Sequence, residues 1–352
     1  MAAVFIVAWL VEAVAFAPCG SQAKHDGKFS YEPAVLESQW VDTKVQGNVC
    51  RLAREQGKIR GNPLAKWLNY SANVVGGLNR LPTPSEAGSL SSLQCTDGRR
   101  EYLEPLTGIA RHPHARVGCQ KLLGHDPKEA KPFNISYLIL QNACPMTTPG
   151  QRIDSNNKRA TQKRRNILFD LGASHFKGDI SLDRGFGLGP SVPLFHALYE
   201  RNCIVFDEVY AWEYEVFRPQ DYWDSVPTNM RAKLHFFNVP VEQEPPANPG
   251  HSVINLLKAS VRPDDFVVMK VDVDNAPVER SVVDAVAMDP TVAGLVDELF
   301  FEHHFFYEPG LTIWGPPMTP GRPFSNTNDT VDDALDLMTR LRKRGIRAHF
   351  WI

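Results

Sequence analysis

A change of rhythm at residue 166 constrains this chain more than any other feature of its sequence. From there on, apolar runs of strand length at 167–171, 204–212, 234–239, 266–273, 298–305 and 346–352 alternate with segments of helical period at 193–201, 253–261, 278–287 and 331–344. A strand that is followed by a helix and then a further strand returns parallel to its start. The series therefore predicts an α/β fold, a Rossmann-like doubly wound and mostly parallel sheet over residues 166–352. The final helix is the clearest. Val331, Ala334, Leu335, Leu337, Met338 and Leu341 fall near i, i+3, i+4, i+7 spacing, Lys343 and Arg344 suit its C-terminal end, and Gly345 stops it.

Upstream that rhythm is absent. Residues 24–150 are rich in turn formers, with short helical candidates at 34–45 and 63–75, and predict an irregular and helical accessory region. Loop signals surround Glu104-Pro105-Leu106 and Arg111-His112-Pro113-His114, which read as a surface loop, with a substrate loop as the alternative. Residues 151–165 crowd Lys158, Arg159, Lys163, Arg164 and Arg165 together and read as a solvated basic linker. Residues 1–23 read as a signal peptide or targeting segment. Their apolar stretch at 2–11 reaches about 15 Å as a helix against a hydrocarbon core of about 30 Å, and Ala13-Val14-Ala15 offers small residues for cleavage.

That reading sends the chain into the secretory pathway, as a luminal or secreted protein. The string Ala15-Phe16-Ala17-Pro18 leaves a complex plastid, reached through a bipartite presequence, as the alternative. Beyond an N-terminal anchor, no transmembrane span is expected. Six cysteines form no C-x-x-C pair, which argues against a zinc ribbon, and no metal ligands are assigned. In a lumen, Cys50, Cys95, Cys119 and Cys144 would allow up to two disulfides, whereas Cys203 lies in an apolar run. Thirty-eight Lys plus Arg against 40 Asp plus Glu leave a net charge of −2, so no global field draws the chain to nucleic acid. The expected partner is a small-molecule or glycan acceptor.

Chemistry is expected where each strand ends, because open α/β sheets bind ligands at the carboxyl ends of their strands. The first strand ends in Asp170-Leu171-Gly172-Ala173-Ser174, where small residues let a ligand approach the backbone. The second ends in Ala211-Trp212-Glu213, which puts an acid where ribose hydroxyls are held, with Asp207 as competitor. Asn238 ends the third and is placed to reach an adenine edge. Asp272 and Asp274 close the fourth. Strand alternation would put both on one face, where like charges need a cation, a proton or a polar ligand. Glu302, His303 and His304 end the fifth at the same rim, suited to acid–base work.

In this order the strings resemble the FkbM-type family of S-adenosylmethionine-dependent methyltransferases over residues 166–305. Asp170, Gly172 and Ala173 match its Asp-x-Gly-Ala-Asn, with Ser174 in place of Asn. Ala211, Trp212 and Glu213 match its Ala-Phe-Glu-Pro, with Tyr214 in place of Pro. Lys270, Asp272, Asp274, Asn275 and Ala276 match its Lys-Ile-Asp-Val-Glu-Gly-Ala, with Asn275 in place of Gly. The whole chain, including Gly189-Pro190-Ser191 and the ending Ala348-His349-Phe350-Trp351-Ile352, also resembles methyltransferase-like proteins of algae and related protists.

The resemblance implies S-adenosyl-L-methionine as cofactor, held by Asp170, Gly172, Ala173, Ser174, Glu213 and Asn238. It implies O-methylation of a sugar or other small-molecule hydroxyl, with Asp272, Asp274 or His303 as the catalytic group. Two alternatives stand beside it. One is a luminal metal-dependent glycosyltransferase that uses Asp272 and Asp274 as an Asp-x-Asp pair. The other is a catalytically degenerate methyltransferase-like fold.

Overall fold

The computed structural model describes residues 28–32, 88–95, 98–105, 165–177, 190–200, 204–303, 329 and 331–351. The expectations for the segment 1–23, the helices at 34–45 and 63–75, the loop at 111–114, His304, the basic stretch through Arg164, and Cys50, Cys119, Cys144 and Cys203 lie outside the described residues.

Within the accessory region, β1 (Lys28–Glu32), β2 (Gly88–Cys95) and β3 (Gly98–Pro105) form an antiparallel sheet in that order. The expectation there was irregular and helical structure, and Glu104 and Pro105 stand in a strand instead of a loop. The register pairs Cys95 with Gly98.

From residue 166 the elements run β4 (Asn166–Leu171), α1 (Ser191–Glu200), β5 (Glu208–Trp212), α2 (Pro219–Ser225), α3 (Thr228–Arg231), β6 (Leu234–Phe237), α4 (Val253–Ser260), β7 (Phe266–Val271), α5 (Ala276–Met288), α6 (Pro290–Ala293), β8 (Glu298–Phe301), α7 (Val331–Lys343) and β9 (Arg347–Phe350). The six strands lie in the order β6-β5-β4-β7-β8-β9, and every neighbouring pair is parallel. This is a Rossmann-like, doubly wound α/β sheet. The chain steps outward from β4 to β6 and then crosses back to β7, so the switch point lies between β4 and β7.

All six residues of β4 and all six of β7 are buried, as central parallel strands covered on both faces must be. Alternation divides them between two cores. Ile167, Phe169, Leu171, Val267, Met269 and Val271 pack with Leu257, Val282, Val286, Leu337 and Leu341 from α4, α5 and α7. Leu168, Phe266 and Val268 pack with Phe195, Leu198 and Tyr199 of α1 and Tyr222 of α2. Asp170 and Lys270 interrupt this second face as direct partners in the β4–β7 register. Among the described residues, no helix is long and apolar enough to cross a membrane.

The N-terminal edge of the sheet is pinned by charge. Arg165, expected in the solvated linker, donates through Nη1 to Glu208 at 2.7 Å and through Nη2 to Asp265 at 2.6 Å and to the Ser260 carbonyl at 2.7 Å. It thus ties the entrances of β4, β5 and β7 together. Burial favours the neutral form of Asp265, but hydrogen bonds from Arg165 and Arg262 outweigh it and hold the carboxyl down at about 2.

Candidate functional site

At the opposite edge, the strand ends named from the sequence converge on the switch point. Gly172 takes φ +88°, and a Cβ there would sit 1.5 Å from the Asp272 carbonyl oxygen. The glycine is thus required by the close approach of the turns after β4 and β7, whether or not a ligand comes near. The amides of Gly172 and Ala173 both donate to the Trp212 carbonyl, at 3.0 and 2.8 Å, and the Ser174 amide donates to Glu213 Oε2 at 2.6 Å. Three consecutive amides of the turn are therefore consumed by the end of β5.

Beneath the turn lies a buried charge cluster. Lys270 is 2% exposed, and its Nζ donates to the Gly172 carbonyl at 2.9 Å and to Asp272 Oδ2 at 2.9 Å, and lies 3.4 Å from Asp170 Oδ1. Burial would discharge the amine, but Asp272 and Asp170 outweigh it and keep Lys270 a cation. Asp170 is fully buried and accepts from Ser191 Oγ at the start of α1. Burial raises its pKa, against the pull of Lys270 and Ser191. The N-terminus of α1, a favourable place for an anion, is thus already faced by the protein's own carboxylate.

The acids after β7 do not pair by alternation. β7 ends at Val271, so the two-residue period stops before either acid. Asp272 keeps its amide on the Leu171 carbonyl at 3.0 Å, and its Oδ2 accepts from Trp351 Nε1 at 3.0 Å as well as from Lys270. Asp274 is exposed, with φ +55°. Asn275, the departure from the glycine of the family pattern, is the N-cap of α5, and its side chain accepts from the Val278 amide. Glu279, in the first turn of that helix, reaches back to the amide of Val273 at 2.9 Å.

Asp272, Glu279 and Glu302 bring carboxylate oxygens within 4.8 Å of one another. Lys270 offsets part of the crowding and a proton offsets more: burial, then Asp272, then Glu279 and Asp274, push Glu302 well above the usual carboxylate range. His303 is nearly buried, stacks on Phe301 at 4.6 Å and directs Nε2 to Asp329 at 2.7 Å, with Arg280 paired to the same carboxylate. Its ring is held in an ion-pair group with Asp329 and Arg280.

Glu213 stands at the end of β5 as expected, with Oε2 on the Ser174 amide and Oε1 accepting from the Glu215 amide at 2.7 Å. Each oxygen retains a lone pair for a further donor. Asn238 follows β6 and uses its side chain within the loop that begins at Glu213. Its Oδ1 accepts from the Phe217 amide at 2.9 Å and its Nδ2 donates to the carbonyls of Glu213 and Glu215 at 3.0 and 2.6 Å. Both Nδ2 hydrogens are thus spent on shaping the loop 213–217, and Oδ1 keeps one lone pair. That loop carries Phe217, tilted against His175 at 4.3 Å and stacked with Tyr222 at 5.9 Å, so an aromatic wall stands beside Glu213.

Four residues that complete the cluster were not singled out for it from sequence: Lys270, Ser191, Glu279 and Trp351. For Lys270 a signal existed. A lysine inside a fully apolar strand must find an acid when the strand is buried. Comparison with protein-family models, curated proteins and solved structures found no match.

Proposed function

We propose that the crevice at the switch point binds S-adenosylmethionine and that the protein transfers its methyl group to a hydroxyl of a sugar or other small molecule. The observation that carries this reading is the internal use of the anion-binding groups. In a nucleotide-binding sheet, the amides of the first turn and the N-terminus of the following helix receive phosphate. Here Gly172, Ala173 and Ser174 give their amides to Trp212 and Glu213, and Asp170 stands at the start of α1. A nucleoside without phosphate and with a cationic centre fits such a rim. A nucleotide diphosphate meets negative charge and finds these three amides already given to Trp212 and Glu213.

In this reading Glu213 takes the ribose hydroxyls on its remaining lone pairs, and the Phe217 and His175 wall lies along the base. The acceptor oxygen attacks the methyl carbon, the carbon–sulfur bond breaks with its electron pair staying on sulfur, and the hydroxyl proton passes to the Asp272 carboxylate. Positioning supplies most of the acceleration, as it does in any in-line displacement between two held reactants. With residues 1–23 as targeting segment, the acceptor belongs to a secretory or plastid compartment.

The test is calorimetric titration of the full chain with S-adenosylhomocysteine, and in parallel with a nucleotide diphosphate sugar plus Mn²⁺. The expected result is a micromolar dissociation constant for the first, near −8 kcal/mol, and no heat from the second. Binding of the nucleotide sugar alone would replace methyl transfer with glycosyl transfer. Silence from both on folded protein would favour a fold without cofactor.

A further inference from the structure

Trp351 follows β9 and is 3% exposed, with its ring tilted on Phe195 at 5.2 Å and set edge-on to Phe300 at 5.7 Å. Its backbone amide continues the sheet through the Phe301 carbonyl at 2.8 Å. All of this would be satisfied by phenylalanine. What tryptophan adds is an N–H, which a buried indole must place on an acceptor, and that acceptor is Asp272 Oδ2 at 3.0 Å.

We propose that Trp351 is the positioning residue of this crevice, its indole N–H fixing the Asp272 carboxylate, together with Lys270, in the orientation and charge state in which it receives a proton. The groups that face Asp272 come from every strand around it: Asp170 from β4, Lys270 from β7, Glu279 from α5, Glu302 after β8 and Trp351 after β9, with Asp274 two residues on. Four of these are acids. Their repulsion favours a proton on Asp272, and only donors oppose it. Lys270 Nζ is divided among Asp170, Asp272 and the Gly172 carbonyl, whereas the indole N–H has one direction set by its buried ring. A neutral donor also holds the carboxylate without changing the net charge of the crevice. Glu302 hydrogen-bonds Asp272 as well. Burial and the Asp272 charge push the Glu302 carboxyl well above the usual carboxylate range.

The assignment of a proton-accepting role rests on the methyl-transfer reading, but the fixing of Asp272 does not. The experiment separates them. In Trp351→Phe, the midpoint of the Asp272 carboxylate titration, followed by ¹³C NMR, is expected to rise by about one pH unit while the fold is kept. With S-adenosylmethionine and an accepted hydroxyl substrate, the acid limb of the pH–rate profile is expected to move up by the same amount. Here kcat should fall about tenfold and the KM for S-adenosylmethionine should stay as it was. If the Phe variant fails to fold, benzothienylalanine at 351 keeps the bicyclic shape and replaces the N–H by sulfur, and the same shift is expected. An unchanged Asp272 midpoint in a folded variant overturns the proposal. A shifted midpoint in a protein that neither binds S-adenosylhomocysteine nor transfers methyl supports the fixing of Asp272 and overturns the reaction instead.

Discussion

Ser174 and Asp274 hold a left-handed backbone, at φ +59° and +55°, as non-glycine residues beside the crevice. That conformation costs an ordinary residue about 1–2 kcal/mol, and asparagine or glycine less. At Ser174 the strain is maintained by the hydrogen bond from its amide to Glu213. Ser174→Asn is expected to raise stability by about 0.5 kcal/mol and Ser174→Gly by about 1 kcal/mol in urea unfolding. Destabilisation by both would mean that the serine side chain makes a contribution larger than the strain. Asn275 teaches the complementary lesson. Where the pattern has glycine the backbone has φ −143°, which any residue adopts, and the asparagine caps α5. The left-handed residue there is Asp274, one place earlier.

Among the elements, the three strand entrances held by Arg165 invite a direct test. Removal of that guanidinium leaves Asp265, whose side chain is fully buried, to Arg262 and to backbone amides, and leaves Glu208 without its ion pair. Arg165→Ala is expected to cost about 2–3 kcal/mol by denaturant titration, and Arg165→Lys to recover part of it, because a point charge cannot reproduce the fork. A loss below about 0.5 kcal/mol would class the pair with solvated surface bridges. The strands and the four long helices of the sheet were legible in the sequence to within a few residues, since burial on both faces leaves continuous apolar runs. Strand ends were less so. Val273 is as apolar as Val271, yet the chain leaves the ladder at Asp272 to let Gly172 pass, a tertiary event that no local pattern records. The antiparallel sheet was missed because β2, Gly-Ser-Leu-Ser-Ser-Leu-Gln-Cys, has leucines three residues apart and lacks the two-residue period of a half-buried strand. Within the candidate site, residue types at strand ends were legible. Their partners were not: nothing in its own strand reveals the loop 213–217 that Asn238 ties down.

Across the whole domain, buried carboxyls set two opposed pH windows. Burial raises the Glu298 carboxyl, but Arg347, His349 and Tyr199 outweigh it and leave its pKa below the ordinary 4.5. The stability it contributes is complete above 4.5 and is lost as pH falls through the depressed value. Glu302 has the other sign. Its carboxyl is raised above 4.5 by burial and by Asp272, so folding takes up a proton there, and the associated stability declines as pH rises from 4.5 toward the raised value. Urea midpoints measured from pH 3 to 9 are expected to peak on the mildly acidic side. Glu302→Gln should flatten the alkaline decline, and Glu298→Gln should flatten the acid one. An alkaline limb that Glu302→Gln leaves untouched would place the proton elsewhere. The occupied amides of the turn after β4 carry a consequence for how such a protein can change over time. Conversion to a phosphate-binding nucleotide enzyme, open to many sheets of this topology by small loop changes, would here have to undo two separate contacts, Glu213 on the Ser174 amide and Asp170 on Ser191 at the start of α1. Release of the first alone leaves a buried carboxylate at the helix, and release of the second alone leaves Lys270 short of a partner, so neither single step yields a working intermediate. The same contacts that hold the turn and the start of α1 in place thus stand between this crevice and any later use of those groups for phosphate.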